Sequence, residues 1–321
     1  MRRLANRFGW LVQPGPGRIH RRPVPQLGGV AILGGFAAAV LVAVPLDTRM
    51  VGLLLGAVVA VGFALVDDFR ELNPRDKLLG QFVAAAIPIA FGIRIDGVSD
   101  PFGGILFLPV LLAIPVTLIW TVGMMNAINF LDGVDGLAPG VAAIATAVLV
   151  VLSIQLGQPV IAAVGIALIA ATLGFLPFNF FRASIFLGDS GAHLLGYSIA
   201  VLAVIGGAKI ATALLVLGIP ILDVAWAVIR RWRAGGAVSR RDTDHLHHRL
   251  LRAGLPQPIV VLSYYAVSAG FGLIALYLHK VEKLLALGAV AVLMVVILLI
   301  LVRTDPGESA SGEPAPSEVT D

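Results

Sequence analysis

Five aspartates stand at the ends of separate long apolar stretches in a chain with little other charge: the adjacent pair Asp67-Asp68, Asp132 with Asp135, and Asp189. Acids are costly beside a bilayer, and adjacent carboxylates repel unless a cation or a proton relieves them. Several gathered at one membrane face therefore point to a divalent cation and phosphate oxygens rather than to solubility. The pair closes an apolar run as Val66-Asp67-Asp68-Phe69 and is followed by Leu72, Lys77 and Gln81, with Lys77 available to a phosphate. In Asn126-Ala-Ile-Asn129-Phe-Leu-Asp132-Gly-Val-Asp135-Gly-Leu137 the first three polar residues are spaced by three along one helical face. Gly133 and Gly136 let the backbone turn closely around a ligand. Asp189 lies in Phe186-Leu-Gly188-Asp189-Ser190-Gly191-Ala-His193, where a lone carboxylate reaches a metal and the helix start favours phosphate. Just upstream, Asn179 and Phe186 offer an amide and a ring to a base. The loop Arg230 to Pro258 carries Asp242, Asp244, His245, His247, His248 and Arg249; with no cysteine, contact to phosphate or sugar fits better than zinc.

Each block also has a plainer reading. Asp67 and Asp68 end an apolar run and face water, Asp132 and Asp135 belong to a calcium-type loop or a polar helix end, Asp189 or Ser190 caps a helix, and the histidines lie on a solvated loop. Convergence at one face is what favours the chemical readings over these.

The elements that must position these residues are set by composition. Of 321 residues, 58% are hydrophobic and 13% charged, and the mean hydropathy is +0.95, too apolar for a soluble fold. The absence of cysteine excludes disulfide staples, thiolate zinc sites and thiol nucleophiles. Basic loops flanking membrane spans account for the net charge of +4, so no nucleic-acid partner is expected. Ten stretches approach the length a membrane helix needs: Leu27 to Leu46, Val51 to Val66, Leu78 to Ile93, Ile105 to Met125, Leu137 to Leu156, Val160 to Pro177, His193 to Gly206, Ile210 to Ile229, Ile259 to His279 and Leu284 to Val302. They are continuously apolar rather than alternating, which excludes barrel strands. The expected fold is an all-α, polytopic integral membrane protein with about ten transmembrane helices and catalytic loops at the cytoplasmic side. Of the 23 basic residues, Arg49, Arg94, Lys209, Lys280 and Lys283 alone fall on one set of loops. The positive-inside rule then puts both termini and all five aspartates at the cytoplasmic face. Residues 1–26 read as a basic cytoplasmic segment, 27–302 as the membrane domain, and 303–321, rich in Pro, Ser, Gly and acids, as a disordered cytoplasmic tail.

Taken in order, the Asp-Asp pair with its downstream Lys and Gln, the Asn-x-x-Asn-Phe-x-Asp-Gly-x-Asp-Gly-Leu block, Phe-x-Gly-Asp-Ser-Gly and His-x-His-His-Arg-Leu resemble the polyprenyl-phosphate N-acetylhexosamine-1-phosphate transferase superfamily. The resemblance implies that a UDP-N-acetylhexosamine and a polyprenyl phosphate give UMP and a lipid-linked diphosphate sugar for cell-envelope polysaccharides. It also implies a requirement for Mg²⁺, with Mn²⁺ as a substitute, at the plasma membrane. It makes Asp67, Asp68 and Asp189 catalytic, with Asp189 the metal ligand, joined by Asp67 or Asp68. It assigns Lys77, Asn126, Asn129, Asp132 and Asp135 to the nucleotide and substrate, Asn179 and Phe186 to uracil, and His245, His247, His248 and Arg249 to the diphosphate or sugar. Arg18-Ile-His20-Arg-Arg-Pro-Val-Pro25-Gln-Leu-Gly28-Gly29 and the His-x-His-His-Arg spacing resemble the branch that transfers GlcNAc-1-phosphate to undecaprenyl or decaprenyl phosphate. The alternative, the phospho-N-acetylmuramoyl-pentapeptide transferases, shows a Thr-Pro-Thr-Met-Gly-Gly segment and three consecutive histidines, and this chain has neither. It departs from the superfamily in lacking a common N-terminal span and in carrying Gly17 and Gln26 where arginine is expected. A transporter would need ionisable groups near mid-bilayer, a CDP-alcohol phosphotransferase would need Asp-Gly-x-x-Ala-Arg, and a silent scaffold draws its support from Gly17 and Gln26. The sequence is compatible with a monomer and with a homodimer.

Overall fold

The computed structural model describes residues 11–12, 23–70, 72–99, 104–205, 207, 209–233, 245–278 and 280–304. Most of residues 1–26, including the branch residues Gly17, Arg18 and His20, lies outside the described residues, as do Asp242, Asp244 and the tail from 305 onward.

Long apolar runs without interruption by turn residues make helices, because a helix satisfies every backbone N–H and C=O internally where no water is available. Twelve follow among the described residues: α1 Gly28–Ala43, α2 Thr48–Arg70, α3 Pro74–Ala90, α4 Val110–Leu131, α5 Leu137–Gln155, α6 Pro159–Asn179, α7 Gly188–Val204, α8 Ile210–Val216, α9 Gly218–Arg233, α10 Leu246–Arg252, α11 Gln257–Tyr277 and α12 Lys280–Thr304. Five of them, α2, α4, α5, α6 and α11, are long and apolar enough to cross a membrane. Each of the ten apolar stretches contains a helix, with two corrections. The eighth is two helices, α8 and α9, meeting at Leu217. Pro220 explains this break, since it has no N–H for the Val216 carbonyl and its ring clashes there. The fourth starts at Val110, not at Ile105, because Pro109 sets the helix start, and Ile105–Phe107 (β4) instead pairs antiparallel with Gly97–Ser99 (β3). A second ribbon joins Leu11–Val12 (β1) to Val24–Pro25 (β2), so the described residues are mostly helical, with two short strand pairs among them.

α7 is the axis. Gly188 and every residue from Ser190 to Val204 are buried, as expected of a helix apolar all round and packed on all sides. It lies against α1, α2, α4 and α5. Close crossings fix its register: a Cβ on Gly196 would sit 2.5 Å from the Met124 carbonyl oxygen of α4, and one on Gly56 of α2 would strike the Tyr197 ring. The Tyr197 hydroxyl donates to the Leu53 carbonyl at 3.1 Å, tying α7 to α2. The first turn of α7 and the last turns of α2 and α4 thereby meet at one end of the bundle.

Candidate active site

Asp67 and Asp68 occupy the last turn of α2, Lys77 the first turn of α3, Asn126 and Asn129 the last two turns of α4, and Asp189 the first turn of α7. The Lys77 ammonium lies between two of the acids, 2.7 Å from Asp67 Oδ2 and in contact with Asp189 Oδ2. Burial alone would lower the Lys77 pKa, but Asp189 and Asp67 together raise it, so the lysine stays charged. Asn129 Nδ2 donates to the other oxygen of Asp189 at 2.9 Å. Burial opposes ionisation of Asp189, yet Asp67, Lys77 and His193 together hold its carboxyl below the usual range. Asp67 Oδ1 accepts the Leu72 N–H at 2.8 Å and so folds the α2–α3 connection back toward the site.

Asp68 is used differently. Its Oδ1 accepts the N–H of Asp189 at 2.8 Å and the Gln26 side-chain amide at 2.6 Å, and its Oδ2 accepts the Ser190 N–H at 3.2 Å. The carboxylate of one helix thus meets free N–H groups at the start of another. The segment before α1 completes the cradle: Phe186 N–H donates to the Pro25 carbonyl at 2.8 Å, Gly28 to Phe186 at 3.1 Å and Gly29 to Leu187 at 3.2 Å.

After α4 the chain turns through Asp132–Gly136, with Gly136 at φ +79°, where a side chain is strained. The Asp132 carboxylate has no hydrogen-bond partner among the described residues. Burial pushes its carboxyl well above the usual range, and the charges of Asp189, Asp68 and Asp135 push the same way. Asp135 Oδ2 accepts the Ala183 N–H at 3.0 Å. Asn179 is buried, and its amide is committed to backbone on both sides, accepting from Gly136 N at 3.0 Å and donating to the Ile185 carbonyl at 3.1 Å. These bonds hold the Asp132–Gly136 turn to the segment bearing the half-buried Phe186. Behind Asp189, Gln81, Asn126 and His193 form a cluster in which the two amides exchange hydrogen bonds and Gln81 Nε2 lies 3.0 Å from His193 Nε2. A small cavity lined by Phe63, Asp67, Lys77, Gln81, Met125 and His193 adjoins this cluster.

The histidine segment closes on the same end. A Cβ on Gly133 would meet His247 Nε2 at 2.5 Å and His248 Nε2 at 3.1 Å, so both imidazoles rest on the backbone beside Asp132. His245, His247 and Arg249 are buried, and burial drives the His247 pKa well below its ordinary value, keeping it neutral.

The structure therefore brings together the residues the motifs single out at 67–81, 126–136, 179–193 and 245–249. Two contacts join residues that the sequence leaves in separate blocks. Gln26 holds Asp68, where the only signal was its standing in place of an arginine. Asp223 holds His245, with Nδ1 3.0 Å from Oδ2; its signal was a lone acid inside an apolar stretch. Among the described residues no group of three or more acidic or imidazole side chains is arranged to hold a metal ion.

An apolar helical bundle with a half-buried acid, amide and lysine cluster at one end is a membrane protein built around a polar site. The family model for glycosyl transferase family 4 matches residues 50–207, which include the Asp67, Asp132 and Asp189 blocks. The chain is similar to the probable undecaprenyl-phosphate N-acetylglucosaminyl 1-phosphate transferase of Bacillus subtilis, 35% identical over 92% of this chain and 84% of that protein. It is also similar to the decaprenyl-phosphate N-acetylglucosaminephosphotransferase of Mycobacterium tuberculosis, 34% identical over 94% of this chain and 85% of that protein. The phospho-N-acetylmuramoyl-pentapeptide-transferase of Desulforudis audaxviator is 34% identical over 81% of this chain and 86% of its own length. The chain belongs to glycosyl transferase family 4.

Proposed function

We propose that this protein transfers N-acetylhexosamine-1-phosphate, preferentially GlcNAc-1-phosphate, from a UDP-sugar to polyprenyl phosphate, releasing UMP and leaving a lipid-linked diphosphate sugar. The observation that carries the reading is the bridge from Asp67 through Lys77 to Asp189, with Asn129 on the second Asp189 oxygen. It gathers hard oxygen donors and a positive charge where two phosphate-bearing substrates can meet. The names of the similar proteins support the same reaction, and the His245-Leu-His247-His248-Arg249 spacing supports the GlcNAc branch.

Lys77 stands in for a cation between two carboxylates, and Asp132 adds an unpaired carboxyl close by. Such an oxygen-rich set suits Mg²⁺, which keeps few protein ligands and shares the rest with phosphates. Asp189 would hold it, with Asp67 or Asp132 beside it, while Asp68, the other candidate, already spends both oxygens on the N–H groups of Asp189, Ser190 and Gln26. Bound there, Mg²⁺ would supply neutralisation of the diphosphate charge.

The acceptor phosphate is already largely ionised near neutral pH, so alignment and charge screening matter more than a strong base. A new bond forms from the lipid phosphate oxygen to the β-phosphorus as the bridging bond to UMP breaks. Lys77 orients the phosphates, and Asn129 fixes the rotamer of Asp189. Asp67 already accepts a backbone N–H on one oxygen and faces Lys77 with the other, which disfavours it as a nucleophile forming an aspartyl intermediate. In this reading about ten helices span the plasma membrane, and both termini and the site face the cytoplasm, where the UDP-sugar is dissolved and the basic loops lie.

The test is to incubate purified protein in lipid with polyprenyl phosphate, Mg²⁺ and UDP-GlcNAc, UDP-GalNAc or UDP-MurNAc-pentapeptide, and to measure UMP. Release with UDP-GlcNAc alone is the expected result. Release with UDP-MurNAc-pentapeptide alone would move the protein to the other branch, and none with any donor would refute the assignment.

A further inference from the structure

Asp223 lies in α9 with 6% of its surface exposed. A buried carboxylate is tolerated only when paired and hydrogen-bonded, and Asp223 uses both oxygens on one short segment. Oδ2 lies 3.0 Å from His245 Nδ1, and Oδ1 accepts the Leu246 N–H at 3.1 Å. His245, the residue that opens α10, makes no side-chain cap of its own; Asp223 supplies that bond from another helix, as a capping aspartate would. With the carboxylate at Nδ1, that nitrogen is the donor of the pair, and Nε2, buried, has no partner among the described residues.

The ring so fixed is a spacer. Its centroid is 5.2 Å from that of Phe130, which lies in α4 next to Asn129, and 5.7 Å from that of His247, with the two imidazole planes 3° from parallel. His247 in turn abuts Gly133, beside Asp132. Neither nitrogen of His247 has a hydrogen-bond partner among the described residues, so packing orients it: the stacked His245 ring on one side, the His248 ring at 4.3 Å and the Gly133 turn.

We propose that Asp223 is a positioning residue for the transfer site, acting through His245 to set the orientation of His247 against the Asp132 turn. This divides the histidine motif: His245 is an internal strut, and His247, itself buried, carries that support to the Gly133 turn beside Asp132. The inference rests on the transferase reading above.

The test uses the full chain in nanodiscs: Asp223→Ala, Asp223→Asn, His245→Ala and the Asp223→Ala/His245→Ala double variant. The readouts are UMP release per folded molecule and the ¹⁵N spectrum of labelled histidines. Outer-layer changes of this kind cost about 10- to 100-fold. Each single Ala variant should lose turnover in that range, and the double variant should lose no more than the worse single one. Asp223→Asn keeps an oxygen for Leu246 N–H but loses the acceptor at Nδ1; it should stay as thermostable as the wild type and still lose turnover. Losses that multiply in the double variant, or full turnover in Asp223→Asn and Asp223→Ala alike, would overturn the proposal. If the wild type itself releases no UMP, it is the transferase reading that fails. The strut is then judged by the spectrum, where Asp223→Asn must move the His247 signals as well as those of His245, and unmoved His247 signals refute it.

Discussion

Replacing Gly29 by Ala would put a methyl carbon 2.4 Å from the Gly191 nitrogen, 2.5 Å from the Ser190 carbonyl carbon and 2.6 Å from Ser190 Oγ. Non-bonded carbon contacts settle near about 3.5 Å, so α1 and the first turn of α7 must part by about 1 Å. Two of the three obstructing atoms are backbone, and a rotamer change cannot relieve them. Asp189 lies two residues from Gly191, and its own N–H is held by Asp68 at 2.8 Å, so the shift falls on the carboxylate that Lys77 and Asn129 are placed to meet. A displacement of about 1 Å at a reacting centre costs about 100-fold in rate, and this is the expected loss of kcat. Gly34, farther along the same helix, is the internal control: nothing lies within 4 Å of its added Cβ. Gly34→Ala should keep full turnover and gain up to about 1 kcal/mol of helix propensity. UMP release by protein quantified after size exclusion measures both. Turnover by folded Gly29→Ala within twofold of the wild type would refute the idea that this contact sets the Asp189 position.

Three further outcomes follow from the same geometry. Asp189→Asn should lower kcat by about 1,000-fold, as loss of a principal charge-stabilising group does; Asp67→Asn, whose amide oxygen still accepts the Leu72 N–H, should lose less, and mass spectrometry that traps a phosphorylated Asp67 would contradict direct attack. Chelation with EDTA should stop turnover, Mg²⁺ should restore it and Mn²⁺ should substitute; activity that persists after exhaustive chelation would remove the metal from the scheme. Lys209 is fully buried, its ammonium donates to Ser153 Oγ at 2.8 Å with no carboxylate partner among the described residues, and burial pulls its pKa from 10.5 down to about 8. Between those values the unfolded chain binds the proton more tightly, so thermal stability should rise from pH 8 toward pH 10.5, whereas Lys209→Met should melt higher at pH 7 and lose that dependence.

The helices were legible in the sequence because apolar length alone forces them. Their ends were misread where a single residue outweighs the run around it: Pro109 moves the start of α4, and Pro220 divides the eighth stretch. The site was legible to the extent that its residues sit in short blocks, each of which folds back on itself. What joins one block to another was not: Gln26 and Asp68 are 42 residues apart, and Asp223 and His245 are 22 apart, with no periodicity to link them. A buried acid advertises that it needs a partner without naming one. Likewise, Gly28 and Gly29 are visible as a pair, but the reason for them is the backbone at the start of α7, distant in the chain and packed directly against α1.

Since α7 presents none of its faces from Ser190 to Val204 outward, a thinner or thicker bilayer acts first on the peripheral helices, which can tilt. The aspartate at the head of this inner rod is shielded from that strain, whereas Asp67, Lys77 and Asn129 ride on helices with outward apolar faces, so a change of acyl-chain length should reach the site through those three partners rather than through Asp189.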